Sequence, residues 1–297
     1  MEPDLGAETQ GRGFLRRWFR RSGPLEPRRR PEGLVVAMAS GKGGTGKSFL
    51  ASNLAIAMHR LGRRVCVVDC DFGLANAHLL FGVNPGYTMQ HLLDGVATAE
   101  QVVSATPHGP SLVAGGSGIA AMAELGPRHM QALARALHQI AAAHEVVLLD
   151  CGAGLAPQSL ITVLAAPHAV VVTNPEIAAL TDAYALVKCL VRQGACPEVH
   201  LVVNRVVQPG MGQQACERLQ TVSSRFVGCD IHYLGEVPED PAVSFRRLGQ
   251  PPLLSLPECA TSRAVMGIAR AMLELEGDRG RPTSSVEARM MAQIRRW

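Results

Sequence analysis

The sequence predicts an α/β fold in which a doubly wound, mostly parallel sheet carries helices on both faces. Short apolar runs alternate along the chain with segments of helical periodicity, an order that is typical of parallel sheets. The runs are almost continuously apolar, which indicates strands that are buried on both faces. Ligands of such sheets bind at the carboxyl ends of the strands, beside a switch in strand order. We therefore expect the functional residues at that edge.

The predicted elements follow one another in regular order. The first strand is predicted at residues 34–39, and a glycine-rich loop then leads into a helix at 47–61 that ends at Gly62. Further strands are predicted at 65–69, 146–150, 169–173, 199–204 and 232–237, and further helices at 128–143, 177–193, 212–225 and 262–275. The pattern assigns no element to residues 86–123.

Length and charge indicate one large domain with short appendages. A chain of 297 residues, 47% of them apolar, can bury a substantial core. We expect the domain at residues 33–276, a basic leader at 1–32 and an amphipathic tail at 277–297. The formal net charge of +4 is concentrated in the leader, where residues 12–30 are rich in arginine and contain one acidic residue, Glu26.

The cysteines and the apolar runs exclude several classes of protein. The eight cysteines occur singly, without a C-x-x-C pair or neighbouring histidines at ligand spacing, so we expect no metal or cluster site built on them. The sequence has no apolar run of transmembrane length, and its start lacks the apolar core of a secretory signal. We expect a cytoplasmic protein with reduced thiols.

A phosphate-binding motif lies between the first predicted strand and helix. Residues 41–48 match the pattern G-x-x-x-x-G-K-[ST]. In that context Lys47 reaches the β and γ phosphates of a nucleotide, and the Ser48 hydroxyl ligates Mg²⁺. The backbone amides that wrap the polyphosphate come from Gly43, Gly44, Thr45 and Gly46. The motif predicts an ATPase with ATP and Mg²⁺ as its cofactors.

A second lysine, Lys42, makes the loop more specific. The run from Lys42 to Ser48, K-G-G-T-G-K-S, resembles the deviant Walker A motif of the MinD/ParA family of ATPases. The resemblance implies a MinD-like P-loop fold and a homodimer that sandwiches ATP, with Lys42 reaching the partner's phosphates. A cation delivered there stabilises the charge that develops during phosphoryl transfer. Hydrolysis would then be coupled to dimerisation.

Two further segments resemble the switches of this family. In the run D-C-D-F-G-L-A-N at residues 69–76, the match implies that Asp71 orients the attacking water and that Asn76 lies close to the γ-phosphate. Asp69 would lie near the Mg²⁺ shell, with a purely structural buried acid as the alternative. Asp150, at the end of an apolar strand, is typical of a Walker B acid that binds Mg²⁺. Gly152 would belong to the second switch.

Adenine recognition is carried over from the family onto two later strand ends. The resemblance implies that Asn204 and Pro238 frame the base. The alternative for either residue is a helix cap or a turn.

Three segments, at residues 71–76, 174–188 and 237–240, resemble the flagellar-number regulators usually called FlhG or FleN. The resemblance implies an ATP-dependent dimer that sets the number or placement of flagella, together with an FlhF-like GTPase and basal-body or transcriptional partners. A MinD-type regulator of the division site and a ParA-type DNA-partition ATPase are the alternatives. Iron–sulfur carriers share the phosphate loop, but they need dimer-bridging cysteines that this sequence does not place.

Both ends of the chain carry amphipathic patterns. On a helix Phe14, Leu15, Trp18 and Phe19 share one face within an arginine surround, a pattern typical of an interfacial anchor on an anionic membrane. The interleaved apolar residues make nucleic acid the less favoured partner. A similar stripe is formed near the C-terminus by Val286, Met290, Ile294 and Trp297. It would contact the membrane, pack on its own domain or pack on a protein partner. We expect a cytoplasmic protein that is peripheral on the inner face of the membrane when ATP is bound.

Overall fold

A computed structural model describes residues 32–73, 75–116, 125–194, 196–244, 259–275 and 284–296. Eight strands form one sheet in the order β3-β4-β2-β5-β1-β6-β7-β8. All neighbours are parallel except β3 and β4, which pair antiparallel at one edge. The strands are β1 Leu34–Ala39, β2 Val65–Cys70, β3 Val103–Ala105, β4 Ser111–Val113, β5 Val146–Cys151, β6 His168–Thr173, β7 Glu198–Val206 and β8 Ile231–Pro238.

Helices cover both faces of this sheet. Alternate residues of β1 enter opposite cores: Val35 lies in one, together with side chains of α3 to α7 and α10, and Val36 lies in the other, with α1, α2 and α9. The predicted fold class is confirmed. The helices are α1 Lys47–Arg60, α2 Ala77–Phe81, α3 Met89–Leu93, α4 Pro127–Ala143, α5 Pro157–Ala165, α6 Ile177–Arg192, α7 Met211–Val227, α8 Pro241–Ser244, α9 Ala260–Glu274 and α10 Val286–Ile294.

The predicted strands and helices are all present, with ends within two residues of the prediction. The elements that the sequence did not reveal are short. Strands β3 and β4 have three residues each, and helix α3 has five. Helix α5 is longer, but its second half is apolar from Leu160 onward except for Thr162, and such a short run has no period that separates helix from strand.

The C-terminal stripe packs on the domain. Val286 and Met290 of α10 are buried against a core that also contains residues of α4 and α5. The Glu32 carboxylate accepts a hydrogen bond of 3.0 Å from the Val286 N–H and lies 2.5 Å from Nδ1 of His138 on α4. The structure shows packing on the domain for Val286 and Met290, so these two side chains are not available to a membrane.

The predicted anchor residues Phe14, Leu15, Trp18 and Phe19 lie outside the described residues, as does Trp297. No helix in the described part of the chain combines the length and the apolar character that crossing a bilayer requires.

Candidate functional site

A pocket of about 360 Å³ opens at the carboxyl ends of the central strands. The loop after β1 and the start of α1 form its floor. The loops after β2 and β5 form its walls. It is lined by residues 43–49 together with Ser40, Asp71, Asn76, Leu80 and Ala153. The structure therefore brings together three segments that the sequence analysis selected separately, and it does so at the predicted edge of the sheet.

The phosphate loop depends on glycine at two positions. Gly44 and Gly46 have φ of +79° and +92°, in the left-handed region that side chains with a Cβ rarely adopt. A Cβ on Gly46 would lie 2.2 Å from the Nδ2 atom of Asn204. Beside Gly43 and Gly44 the space is open. Asn204 thus packs closely against one side of the loop at Gly46. The other side, at Gly43 and Gly44, is free to approach a polyphosphate.

The loop also fits an anionic ligand chemically. Helix α1 begins at Lys47 and has no acidic residue in its first turn, so the positive end of its dipole faces the pocket uncompensated. The hydroxyl oxygens of Ser40 and Thr45 are buried and have no hydrogen-bond partner in the described structure. Buried polar atoms normally have partners. A phosphate beside the loop could supply them.

Lys47 and Asp150 form a buried ion pair inside the pocket. Their side chains are 5% and 1% exposed, and Nζ of Lys47 is hydrogen-bonded to Oδ1 of Asp150. Burial lowers the pKa of the Lys47 ammonium, but the charge and hydrogen bond of Asp150 outweigh burial, so the net pKa is raised. The Ser48 hydroxyl lies 3.4 Å from the same Nζ atom. A phosphate would compete with Asp150 for the lysine, and Mg²⁺ would compete with the lysine for Asp150.

Asp69 anchors the loop that follows β2. It lies directly opposite Asp150 in the sheet register, and its two oxygens accept 3.0 Å hydrogen bonds from the backbone N–H groups of Asp71 and Ala77. Burial, followed by the charge of Asp150, raises the pKa of Asp69 to about 7 despite these bonds. The contacts give Asp69 the structural role that was its alternative. Its place near Mg²⁺ stays a prediction.

The loop after β5 contacts both the loop after β1 and the loop after β2. A Cβ on Gly152 would lie 2.6 Å from Oγ of Ser159 and 3.7 Å from Oδ1 of Asp71. The N–H of Gly154 donates a 2.9 Å hydrogen bond to the carbonyl of Ser40. A side chain at position 152 would therefore need Ser159 to change its rotamer. The close approach leaves Asp71 on the pocket wall, where the predicted contact with an attacking water would be made.

Lys42 is placed quite differently from Lys47. It does not line the pocket, and its Nζ atom lies 3.5 Å from Oε2 of Glu176 at the start of α6. The two side chains are 32% and 70% exposed. Sequence reasoning selected the segment around Glu176 for its resemblance but did not identify it as the partner of Lys42. One loop therefore carries one lysine inside the pocket and one on the outer surface.

Asn204 and Pro238 do not line the pocket. The Asn204 side chain is nearly buried, and its Nδ2 atom donates a 2.8 Å hydrogen bond to the carbonyl of Thr45. The carbonyl of Pro238 accepts a 3.1 Å hydrogen bond from the Thr261 hydroxyl. Asn204 thus stabilises the phosphate loop through its backbone. The contact of both residues with adenine stays a prediction.

We expect Asn204→Asp to weaken ATP and GTP binding by the same factor, roughly tenfold, because its carboxylate cannot donate to the Thr45 carbonyl and a buried acceptor is left unsatisfied. Asn204→Ser, which can still donate, should lose less. Calorimetric titration of each variant with both nucleotides measures the effect. A loss confined to ATP would instead show that Asn204 contacts the base.

Comparison with known proteins agrees with this geometry. The family model for ParA, described as NUBPL iron-transfer P-loop NTPase, matches residues 33–273. The antiactivator FleN of Pseudomonas aeruginosa is 34% identical over 70% of this chain and 75% of its own. The flagellum site-determining protein YlxH of Helicobacter pylori is 32% identical over 68% of each chain.

A solved structure shares the fold. The septum site-determining protein MinD of Pyrococcus horikoshii, complexed with Mg-ADP, is 27% identical and superposes with a TM-score of 0.69 over 82% of this chain and 98% of its own. The family match covers most of the chain, and the mostly parallel sheet with helices on both faces is the fold that the resemblance implied. The protein therefore belongs to the ParA family of P-loop NTPases and is an ATPase of the MinD/ParA type.

Proposed function

We propose that this protein is an ATP-dependent, dimerising ATPase switch that regulates the number or placement of flagella while it cycles between cytoplasm and membrane. The observation that carries the proposal is the opposite placement of the two loop lysines. Lys47 lies inside the pocket, whereas Lys42 lies outside it beside Glu176. A cation on the outer surface of a phosphate loop can serve the pocket of a second copy.

The surface around Lys42 suits a second copy. Ile177, next to Glu176, is 79% exposed, and Leu155, next to Gly154, is 42% exposed. Exposed apolar side chains beside a charged group that must be desolvated are typical of protein interfaces. ATP held between two copies would place both Lys42 side chains against phosphates, and hydrolysis would remove that attraction. The dimer would last for one catalytic cycle.

The charged and hydroxyl residues of the site divide the roles in this cycle. ATP is the nucleotide and Mg²⁺ its metal, which neutralises phosphate charge when bound. Ser48 and Asp150 would hold the metal, and Lys47 would pair with the phosphates after leaving Asp150. Asp71 would orient the attacking water. Lys42 of the second copy would stabilise the charge that develops on the transferred group.

The flagellar assignment rests on relatives. FleN is named an antiactivator and YlxH a flagellum site-determining protein, and both are more than 30% identical to this chain. An FlhF-like GTPase and basal-body or transcriptional partners follow from the resemblance alone. Division-site regulation is the second candidate, supported by the MinD structure. DNA partition of the ParA type is the third, supported by the arginines of the leader.

Iron transfer, which the family description mentions, has less support in this chain. Cys70 and Cys151, the cysteines nearest the pocket, are fully buried in the sheet. Burial raises the pKa of both thiols well above the ordinary value. The thiolate is the form that ligates a metal, and buried apolar surroundings disfavour it, so neither residue is poised for that role.

Vesicle sedimentation tests the membrane part of the proposal. The intact protein and a form lacking residues 1–30 are mixed with anionic or neutral vesicles, in ATP or ADP. We expect ATP to drive only the intact form onto anionic vesicles, because two leaders in one dimer add their affinities. Both forms should hydrolyse ATP at the same rate without vesicles. If neither form sediments but both bind duplex DNA in a salt-sensitive way, the partition alternative is favoured.

Deletion of the gene separates the flagellar from the division role. We expect the number or position of flagella to change while cell length stays normal, and the Asp71→Ala protein should fail to restore the wild-type pattern. Misplaced division with normal flagella would contradict the flagellar assignment and leave the ATPase switch in place.

A further inference from the structure

Three histidines and a glutamate lie close together at the amino ends of β6, β7 and β8. The pocket lies at the opposite, carboxyl ends of the strands. His168 begins β6, Glu198 begins β7, His200 is the third residue of β7, and His232 is the second residue of β8. Successive histidines are 32 residues apart along the chain. In the parallel register His168 lies directly opposite Glu198, and His200 lies directly opposite His232. The topology therefore places all four side chains together.

The distances among them suit a metal ion. The Nε2 atom of His200 lies 3.4 Å from Nδ1 of His168. Carboxylate oxygens of Glu198 lie 3.8 Å from the His168 atom and 4.0 Å from the His200 atom. Ligands at about 2.0–2.1 Å from a tetrahedral Zn²⁺ are separated by roughly 3.4 Å. The two Glu198 distances are to different oxygens, but one ligand atom from each of the three residues lies within 4.8 Å of the other two. Small side-chain shifts would bring the three residues onto one ion.

His232 lies beside this group, on its solvent-exposed side. Its Nε2 atom lies 3.5 Å from a Glu198 oxygen, and its ring centroid is 5.5 Å from that of His200. His200 is 1% exposed and His168 is 13% exposed, whereas His232 is 43% exposed. The cluster is thus closed to solvent at His200 and open to solvent at His232. A site that takes up an ion from solvent needs both features.

We propose that His168, Glu198 and His200, with His232 as the fourth ligand, bind Zn²⁺ at the amino ends of β6, β7 and β8. Three imidazoles and one carboxylate are a donor set that favours zinc and its neighbours over Mg²⁺ or Ca²⁺. The ion would cross-link three strands whose opposite ends lead to Glu176, Asn204 and Pro238. The competing explanation is a metal-free cluster in which Glu198 pairs with histidines that carry a proton.

Titration with Co²⁺ and Zn²⁺ tests the site. The full-length protein, stripped of metal with a chelator and saturated with Mg-ADP to fill the pocket, is titrated with Co²⁺ and followed by visible absorption. We expect one Co²⁺ per chain, with the intense d–d bands of a tetrahedral site and no thiolate charge-transfer band. Zn²⁺ should displace it. In Zn²⁺ at a hundred times its dissociation constant, the thermal midpoint should rise by roughly 5 °C or more.

Three ligand variants and one control identify the residues. We expect His168→Gln and Glu198→Gln each to weaken Zn²⁺ binding by at least about a hundredfold, and exposed His232→Gln to weaken it by about tenfold. His129→Gln, at an exposed histidine of α4, should bind like the wild type. Binding of Mg-ADP by each variant shows that it is folded.

Three outcomes would overturn the proposal. The first is a wild-type protein that binds Mg-ADP but no Co²⁺ or Zn²⁺, which would leave the ion-pair explanation. The second is unchanged affinity in both His168→Gln and Glu198→Gln. The third is a thiolate band in the cobalt spectrum, which would assign the metal to cysteines such as the hydrogen-bonded pair Cys196 and Cys229.

Discussion

Lys42→Ala should bind ATP as tightly as the wild type but hydrolyse it at least about a hundredfold more slowly. The side chain lies outside the pocket of its own chain, so its loss removes no contact to the bound nucleotide. A cation supplied across an interface to a transferring phosphoryl group contributes about 10³–10⁵ in rate where it has been measured. Steady-state phosphate release and light scattering in ATP measure the rate and the dimer together.

A matched control is available on helix α6. Lys188 is an exposed lysine, and Lys188→Ala should leave both the rate and the dimer unchanged. A Lys42→Ala protein that keeps its hydrolysis rate would contradict the role of Lys42 and, with it, the coupling of hydrolysis to dimerisation.

The pair of Lys42 with Glu176 is a weak restraint. Both side chains are partly or largely exposed, and exposed ion pairs contribute about 0–1 kcal/mol. Breaking this ion pair therefore costs little free energy. The contact that Lys42 would make with the phosphate of a second copy is desolvated, so it would stabilise the complex by more than that cost. Glu176→Gln should accordingly change the ATP-dependent dimer only a few-fold. The restraint positions Lys42 without locking it.

The parts that the sequence predicted depend on local patterns. The apolar runs of β1, β2 and β5 and the glycine loop between β1 and α1 are each encoded within a few adjacent residues. Strand order then brings the loop, Asp71 and Asp150 to one edge, because carboxyl ends of parallel strands meet there. The pocket was therefore predictable from three short segments and one topological rule.

The parts that it did not predict are contacts between distant positions. Asn204 reaches Thr45 across 159 residues, and Lys42 reaches Glu176 across 134. Glu32 meets Val286 across 254 residues. Such contacts depend on how loops and helices pack on the sheet. No short segment of the sequence encodes that packing. The histidine cluster belongs to the same class, because its members are far apart along the chain and adjacent only through strand pairing.

Lys47→Met should destabilise the nucleotide-free protein by about 3–5 kcal/mol, since it leaves the Asp150 carboxylate buried without its counter-charge. For a chain of this size the thermal midpoint should fall by roughly 10 °C or more. Nucleotide binding should be lost as well. The double variant Lys47→Met/Asp150→Asn removes both charges, so it should regain most of the stability but none of the nucleotide binding. Thermal unfolding of the three proteins measures the difference.

The pH dependence distinguishes a charge effect from lost packing. Lys47 lowers the pKa of Asp69, which burial and Asp150 hold near 7, so removing the lysine raises that pKa further. A carboxyl whose pKa is raised by folding contributes stability at low pH that is lost as the pH rises. The deficit of Lys47→Met should therefore be larger at pH 8 than at pH 5.5, whereas the double variant should show a weaker dependence. A deficit that stays constant with pH in both proteins would assign the loss to packing and not to buried charge.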